Sequence, residues 1–250
     1  MAHKTLISGT AYSVTGSREL ISGTGYDCKA GKTLIGGTAF TVPFSKGIPL
    51  STITPGAILY LNESGSPVPF YIAKHDYESG LNGAGRTLVV RKDCYKMRTF
   101  GQKNNYETSF IDADLQNTWP KLLDSNIQTL MGTTKFYYYR NGSSGMVTLN
   151  RAAFQLSLTE LGSADTFAAK EGTALPIASV LKIANIDGHS TGQWTRTHNL
   201  SDYVHVFAFG SSGRSMSSKY SDSLGVRPAF TLPATTAVTA NPDGTYTLAA

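Results

Sequence analysis

One segment of this 250-residue chain, 109–131, carries sustained helical periodicity, and it is surrounded by short β-prone stretches separated by turns. Ser109 or Asp112 can cap its start. Pro120 breaks the pattern and can open a second helix in its first turn, where the missing N–H costs nothing. Leu122, Leu123, Ile127 and Leu130 then recur at helical spacing, and Gly132 is placed to end the run. On either side, "AILYLN" (57–62), "VPFYIAKHD" (68–76), "RTLVVRKD" (86–93) and "KFYYYR" (135–140) read as strands. "AFQLSLTELG" (153–162) alternates like a strand, and "ASVLKIANI" (178–186) suits either a short helix or a strand. "QWTRT", "DYVHVFAFG" and "GVRPAFTLP" are read as further strands, with loops between them. "NPDGTYTL" near the end is hairpin-like. Strands around one or two helices, without βαβ alternation, indicate an α+β fold with mainly antiparallel sheet.

The first 45 residues have a different texture. "KTLISGTAYSV" from Lys4, "RELISGTGYDC" from Arg18 and "KTLIGGTAFTV" from Lys32 repeat with a period of 14. Each copy has a β-prone stretch, a glycine turn and a second, aromatic-containing strand. One such unit cannot bury its own apolar face, so it must pack on something. The reading is a β-repeat module over 1–45, for attachment or oligomerisation, followed by a main domain over 46–250. The "GKT" at 31–33 falls in a repeat column that reads Ser-Arg-Glu in the preceding copy, and its spacing misses the phosphate-loop pattern.

Charge and motif content narrow the function. Lys and Arg exceed Asp and Glu by 22 − 17 = 5, but the basic residues are scattered and not gathered on one stretch, which argues against nucleic acid. The two cysteines, Cys28 and Cys94, lie far apart and neither belongs to a CxxC pair. No signal-type apolar region or membrane-length apolar run occurs, so the protein is expected to be soluble and made in a cytoplasm. "GHSTG" (188–192) matches GxSxG, but no helix-forming sequence follows. Its downstream Asp202 and His205 are crowded within 15 residues of Ser190. "KHDYE" (74–78) clusters His75, Asp76 and Glu78 without a second ligand segment, and reads as an exposed strand end. No catalytic residue, metal ligand or cofactor is assigned.

Five segments, in order, carry a resemblance: "LNESGSPVPFYIAKHDY", "LVVRKDCYKMRTF", "SFIDADLQNTWPKLLDSNIQTLM", "LNRAAFQLSLTELG" and "WTRT" followed by "GVRPAFTLP". Over roughly residues 50–235 the chain resembles the C-type-lectin-fold variable proteins of phages and gut bacteria. In some of these, diversity-generating retroelements rewrite the C-terminal region. The N-terminal repeats resemble segments of phage tail proteins. The resemblance implies a C-type lectin fold that displays a binding surface, with a ligand-facing segment over 194–224.

In that family a Trp-x-Arg and a closing Gly-Val-Arg-Pro-Ala frame the variable segment. Here the scaffold anchors are Trp194, Arg196, Arg227 and Pro228, with 28 residues, 197–224, between Arg196 and Gly225. Val206, Phe207, Phe209 and Gly213 fall on framework-like positions. His198, Asn199, Leu200, Asp202, Tyr203, His205, Arg214, Tyr220, Asp222 and Leu224 fall where the family varies, and are the expected ligand contacts. The arginines suit bidentate bonds that pin loops, and the Tyr, Ser and Gly content suits an adaptable contact surface. Retroelement mutation acts on adenines of AAC codons, which cannot yield Lys or Met, so Met216 and Lys219 would be template residues.

The implied partners are a bacterial surface receptor, protein or glycan, and other tail or virion proteins. A homo-oligomer is expected, a trimer first, without membrane insertion. The implied location is the phage tail or, alternatively, a bacterial cell surface. A structural virion role for the lectin-like domain is the alternative function. The reactive cysteine pair of formylglycine-generating enzymes and the Glu-Pro-Asn, Gln-Pro-Asp and Trp-Asn-Asp motifs of calcium-dependent sugar lectins are absent from the sequence.

Overall fold

The fold comes from a computed structural model that describes residues 47–249 except 141, 143 and 144, together with the backbone of six strands between residues 3 and 41. The chain divides into two compact units, Met1–Lys46 and Gly47–Ala250.

In the first unit the 14-residue repeat becomes three two-stranded antiparallel hairpins: His3–Ile7 with Thr10–Val14, Arg18–Ile21 with Thr24–Asp27, and Lys32–Ile35 with Thr38–Thr41. Their registers are equivalent, with Leu6 opposite Ala11, Leu20 opposite Gly25 and Leu34 opposite Ala39. The would-be phosphate-loop residues Lys32 and Thr33 lie inside a strand. Cys28 falls outside the described residues.

The second unit is α+β and mostly sheet. Its larger sheet has eight strands in the order Ala153–Phe154, Ala229–Pro233, Arg86–Arg91, Ser66–His75, Ile58–Glu63, Tyr246–Leu248, Ala237–Ala240 and Ile48–Pro49. Strands from both ends of the unit therefore share one sheet. The second sheet has five strands in the order Lys96–Thr99, Ser223–Val226, Gln193–His198, His205–Phe209 and Ser215–Lys219. Pairing is antiparallel except between Tyr246–Leu248 and Ile58–Glu63 and between Gln193 and Gly225. Thr134–Tyr139 and Met146–Arg151 form a separate hairpin.

The helical segment behaves as its caps dictate. Ser109 Oγ accepts from the Asp112 amide at 2.9 Å and starts the helix Phe110–Asn117. Pro120 sits in the first turn of the 3-10 helix Trp119–Leu122, and Ser125–Leu130 completes the run. Ile111, Leu115, Trp119 and Ile127 face the core. Trp119 packs its ring, tilted, near Phe70 and Phe230, joining the helical layer to the larger sheet.

Several expectations are corrected. Two further one-turn helices, Ser79–Asn82 and Ala178–Leu181, occur among the described residues, and "ASVLKIANI" splits into the second of these plus the strand Ala184–Ile186. "AFQLSLTELG" is a strand only at Ala153–Phe154. Beyond it, Ser157 Oγ accepts from the Glu160 amide and Glu160 Oε2 accepts from the Ser157 amide, a reciprocal pair that favours a turn over a strand. "GVRPAFTLP" is two strands in two different sheets, broken at Arg227–Pro228. "KHDYE" is not an exposed strand end, because His75 bonds Thr87 and the Ile53 carbonyl and Tyr77 is fully buried.

Candidate binding surface

The site is built around the strand Gln193–His198, every residue of which is buried. Trp194 fills the core against Phe100 and donates its indole N–H to the Arg98 carbonyl at 2.8 Å. Its register against His205–Phe209 slips. Trp194 faces Ala208 but His198 faces Val206, so four steps along one strand match two along the other. This bulge turns Thr195, Arg196 and Thr197 out of the regular ladder. Thr195 Oγ1 donates to the Phe207 carbonyl at 2.7 Å, and the Arg196 amide donates to the Leu156 carbonyl at 2.9 Å.

The bulge sends Arg196 inward. Its guanidinium is fully buried and makes a bidentate pair with Glu160, at 2.6 and 3.0 Å, and also donates to the carbonyls of Gln155 and Tyr137. Tyr77 donates its hydroxyl to the same Glu160 carboxylate, and Arg196 lies over the Phe136 ring. Burial disfavours the charge on Arg196, but Glu160, Tyr77 and Glu171 outweigh it and raise the pKa. Nearby Glu171 accepts from the Tyr139 amide and Thr197 Oγ1, and burial raises its pKa.

Arg227 is the second clamp. It is buried and donates to the carbonyls of Arg91 (2.7 Å), Leu181 (2.7 Å), Ile183 (3.3 Å) and Lys92. Burial lowers its pKa to about 10, which leaves it charged at neutral pH. Pro228 follows where the chain crosses from the five-stranded to the eight-stranded sheet, and its carbonyl accepts from Arg91 N at 2.9 Å. Gln155 links the two clamps: its amide donates to the Trp194 carbonyl at 2.6 Å and its Oε1 accepts from Arg227 N at 3.3 Å. Gly225 permits the close approach beside them, since a Cβ there would lie 2.4 Å from Cys94 Sγ and 3.0 Å from the Gly192 carbonyl.

Between the clamps the chain comes to the surface. The Ser-rich stretch is not a loop throughout, for Ser215–Lys219 is the outer strand of the five-stranded sheet. Ser215, Ser217 and Lys219 are exposed, while Met216 is half-buried and Ser218 buried. Gly213, at φ +75°, closes the turn that precedes it. Val206, Phe207 and Phe209 are buried framework positions.

The expected contact residues fall into two groups. Asn199, Leu200, Asp202 and Tyr203 lie on one loop and His205 opens the strand that follows it, with Tyr220 brought beside the loop by its amide's bond to the Val204 carbonyl. Asp222 is exposed and caps the Lys219 amide at the same end. Arg214 lies at the opposite end of the hairpin, since His205 pairs with Lys219 and Phe209 with Ser215. A five-residue strand, at about 3.3 Å per residue, separates the two ends. Leu224 is half-buried against Gly192.

His198 is a correction: it is 3 % exposed, packs near the Tyr139 ring and presents no contact surface. Its Nδ1 is buried without a hydrogen-bond partner among the described residues, and burial lowers its pKa from 6.5 to about 4. The unfolded chain therefore takes up this proton first. The neutral ring's contribution to stability is full above pH 6.5 and is lost as pH falls toward 4. Urea unfolding should show that wild type loses about 3 kcal/mol more than His198→Gln between pH 7 and 4. Glu171 and Asp112, whose raised values act in the opposite direction, are common to both proteins and cancel in the comparison. Parallel pH profiles would refute the assignment.

Residues missed from sequence are Gln155 and Glu160, which complete the clamps, and Phe167, 51 % exposed, whose carbonyl accepts from the Leu200 amide at 2.8 Å. The serine of the GxSxG motif reaches this surface at the turn before Ser215. Ser190 lies in the short strand His189–Thr191 and donates to the Ser211 carbonyl, not to a histidine. Cys94 is a buried free thiol, pushed up to about 12 by burial. Among the described residues no group of three or more His, Cys, Asp or Glu side chains is placed to hold a metal ion, and no helix is long and apolar enough to cross a membrane.

No curated protein and no solved structure gives a match to the chain. One family model, described as a domain of unknown function (DUF6273), matches residues 84–234, which span both arginine clamps and the surface between them. That match covers 151 of the 250 residues, and the chain belongs to the DUF6273 family.

Proposed function

We propose that this is a non-enzymatic ligand-binding protein, a phage receptor-binding or tail-associated adhesin whose 47–250 unit is a C-type-lectin-like display scaffold. One observation carries the reading. A segment clamped at both ends by buried arginines, Arg196 and Arg227, is buried at its flanks yet exposes Leu200, Tyr203, Val204, Arg214, Ser215 and Ser217 between them. The clamps use Glu160 and main-chain carbonyls, none of which belongs to the displayed residues. Contact chemistry can therefore change while the frame holds. The two-sheet arrangement supports the lectin-like part of the proposal, because the displayed segment lies in one sheet and strands from both ends of the unit close the other.

In this reading the 1–46 hairpins attach or oligomerise the chain, and several copies at a bacterial surface make modest single-site affinity sufficient. The test is staining of a panel of bacterial isolates with fluorescently labelled full-length protein. Joint replacement of Tyr203, His205 and Arg214 by Ala should abolish staining with an unchanged melting temperature. Undiminished staining would sink the assignment. Arg214→Ala alone and Leu200→Ala with Tyr203→Ala would show which end of the hairpin makes the contact.

A further inference from the structure

The outer strand Ser215–Lys219 of the five-stranded sheet has one bonded side and one open side. The bonds that flank it fix which groups face outward. The Tyr220 amide donates to the Val204 carbonyl, and the Gly210 amide donates to the Arg214 carbonyl, both at 2.9 Å. Bonded residues alternate along an antiparallel pair. Met216 and Ser218 therefore bond to the strand His205–Phe209, while Ser215, Ser217 and Lys219 turn their N–H and C=O groups outward. The neighbouring strand agrees, since the His205 and Phe207 carbonyls are taken from its other side, by the Asn199 amide and Thr195 Oγ1. At Lys219 the outward groups are occupied: its amide donates to Asp222 Oδ2 at 3.0 Å, and its carbonyl accepts from the Asp222 amide at 2.8 Å. Those of Ser215 and Ser217 have no partner among the described residues.

An open edge is a template for another strand, and the other edges of the two large sheets are blunted. Pro49 stands in one. Gln116 covers another, where its side chain accepts from the Ala152 amide and donates to the Ala153 carbonyl. In the third, Lys96 and Arg98 carry charge and pair with Asp114 of the helix Phe110–Asn117. The stretch 215–217 has no proline and no charge, and among the described residues no side chain bonds its outward backbone.

We infer that this edge pairs antiparallel with the same edge of a second copy, about a two-fold axis at Met216, and joins two five-stranded sheets into one. The register is self-complementary. With Met216 opposite Met216, Ser215 of each copy lies opposite Ser217 of the other, and every free N–H and C=O of these serines finds a partner. A register centred on Ser217 would instead set Ser215 against the Lys219 groups that Asp222 already holds. No like charges meet, because Arg214 falls opposite Ser218 and Lys219 opposite Gly213. A second copy suits this edge better than an unrelated peptide, since its strand is already formed and loses little freedom on pairing. The contact is narrow, so the dimer is weak, with a Kd on the order of 100 µM. The inference does not rest on the display reading; joined with it, pairing sets two displayed surfaces edge to edge.

Sedimentation equilibrium of the full-length protein over a range of concentrations should show a doubling of mass that wild type and Ser217→Ala share. Ser217→Pro removes one outward donor from each copy, at a position where an edge strand tolerates proline. It should weaken the doubling at least about tenfold. Ser215→Lys/Ser217→Lys places like charges across the axis on exposed positions and should abolish the doubling at low salt. Both variants should melt like wild type; if Ser217→Pro melts lower, the lysine variant and a cross-link decide. The cross-link reads the register. Met216→Cys in a Cys28→Ser background brings Cα atoms about 4.5 Å apart across the axis and should give a disulfide-linked dimer on mild oxidation. The remaining thiol, Cys94, is buried. Three results overturn the inference: a mass that does not rise with concentration, doubling at wild-type strength in a folded variant of either kind, or doubling without the Met216→Cys cross-link.

Discussion

Replacing Arg196 with Met is expected to destabilise the 47–250 unit by about 3–5 kcal/mol. The guanidinium and its partner Glu160 are both 0 % exposed, so water cannot take over when one is removed. Glu160 would be left with the Tyr77 hydroxyl and the Ser157 amide, and with Glu171 close by and no cation between them. A lone buried carboxylate escapes by taking a proton, so the loss should shrink as pH falls below neutrality. The double replacement Arg196→Met/Glu160→Leu should recover part of the loss, because it leaves no unpaired Glu160 charge, although the Tyr77 hydroxyl and the Ser157 amide lose their acceptor. Urea unfolding of the two variants provides the measurement. A loss below about 1 kcal/mol for Arg196→Met would mean that the pair is not a clamp.

Arg227→Ala is expected to cost about 3 kcal/mol or more, by a different mechanism. Among the described residues Arg227 has no hydrogen-bonded carboxylate partner; its donors reach main-chain carbonyls of Arg91, Lys92, Leu181 and Ile183 and, at 3.5 Å, the Gln193 side-chain oxygen. The Leu181 carbonyl would keep the Gln193 amide, but the others would lose a buried donor. Arg227→Lys should recover less than half, since one ammonium cannot reproduce a planar fork that reaches carbonyls on two separate segments. Urea midpoints of the three proteins test this, and full recovery by Lys would contradict it. Losses of this size are a large fraction of the total stability of an ordinary domain.

The helical segment was legible because its signals are local. Ser109 caps its own third neighbour, and Pro120 needs only its own ring. The larger sheet was legible for a similar reason, since "LVV" is buried on both faces and "FYI", with Tyr71 half-buried between Phe70 and Ile72, also reads as a continuous apolar run. The strand Ser215–Lys219 was not, because an edge strand with a solvent face needs few apolar residues and "SMSSK" resembles a loop. His198 was misassigned because a bulge alters the inward–outward alternation, and nothing within "WTRTH" announces the slip. Glu160 and Phe167 meet the surface only through tertiary contacts, with Arg196 and Leu200, that no spacing rule reaches.

The acceptors that hold Arg227 have a consequence for heritable change. A carbonyl is supplied by every amino acid, so substitutions at Lys92, Leu181 or Ile183 leave the acceptor in place. The same is true of the Gln155 and Tyr137 carbonyls that receive Arg196. Error in the coding sequence is thus concentrated in its effect on a few letters, the two arginines, Gln155 and Glu160, while most of the positions they bind remain open to drift. A lineage under pressure to alter what it touches could explore many neighbours of this sequence without first losing the fold.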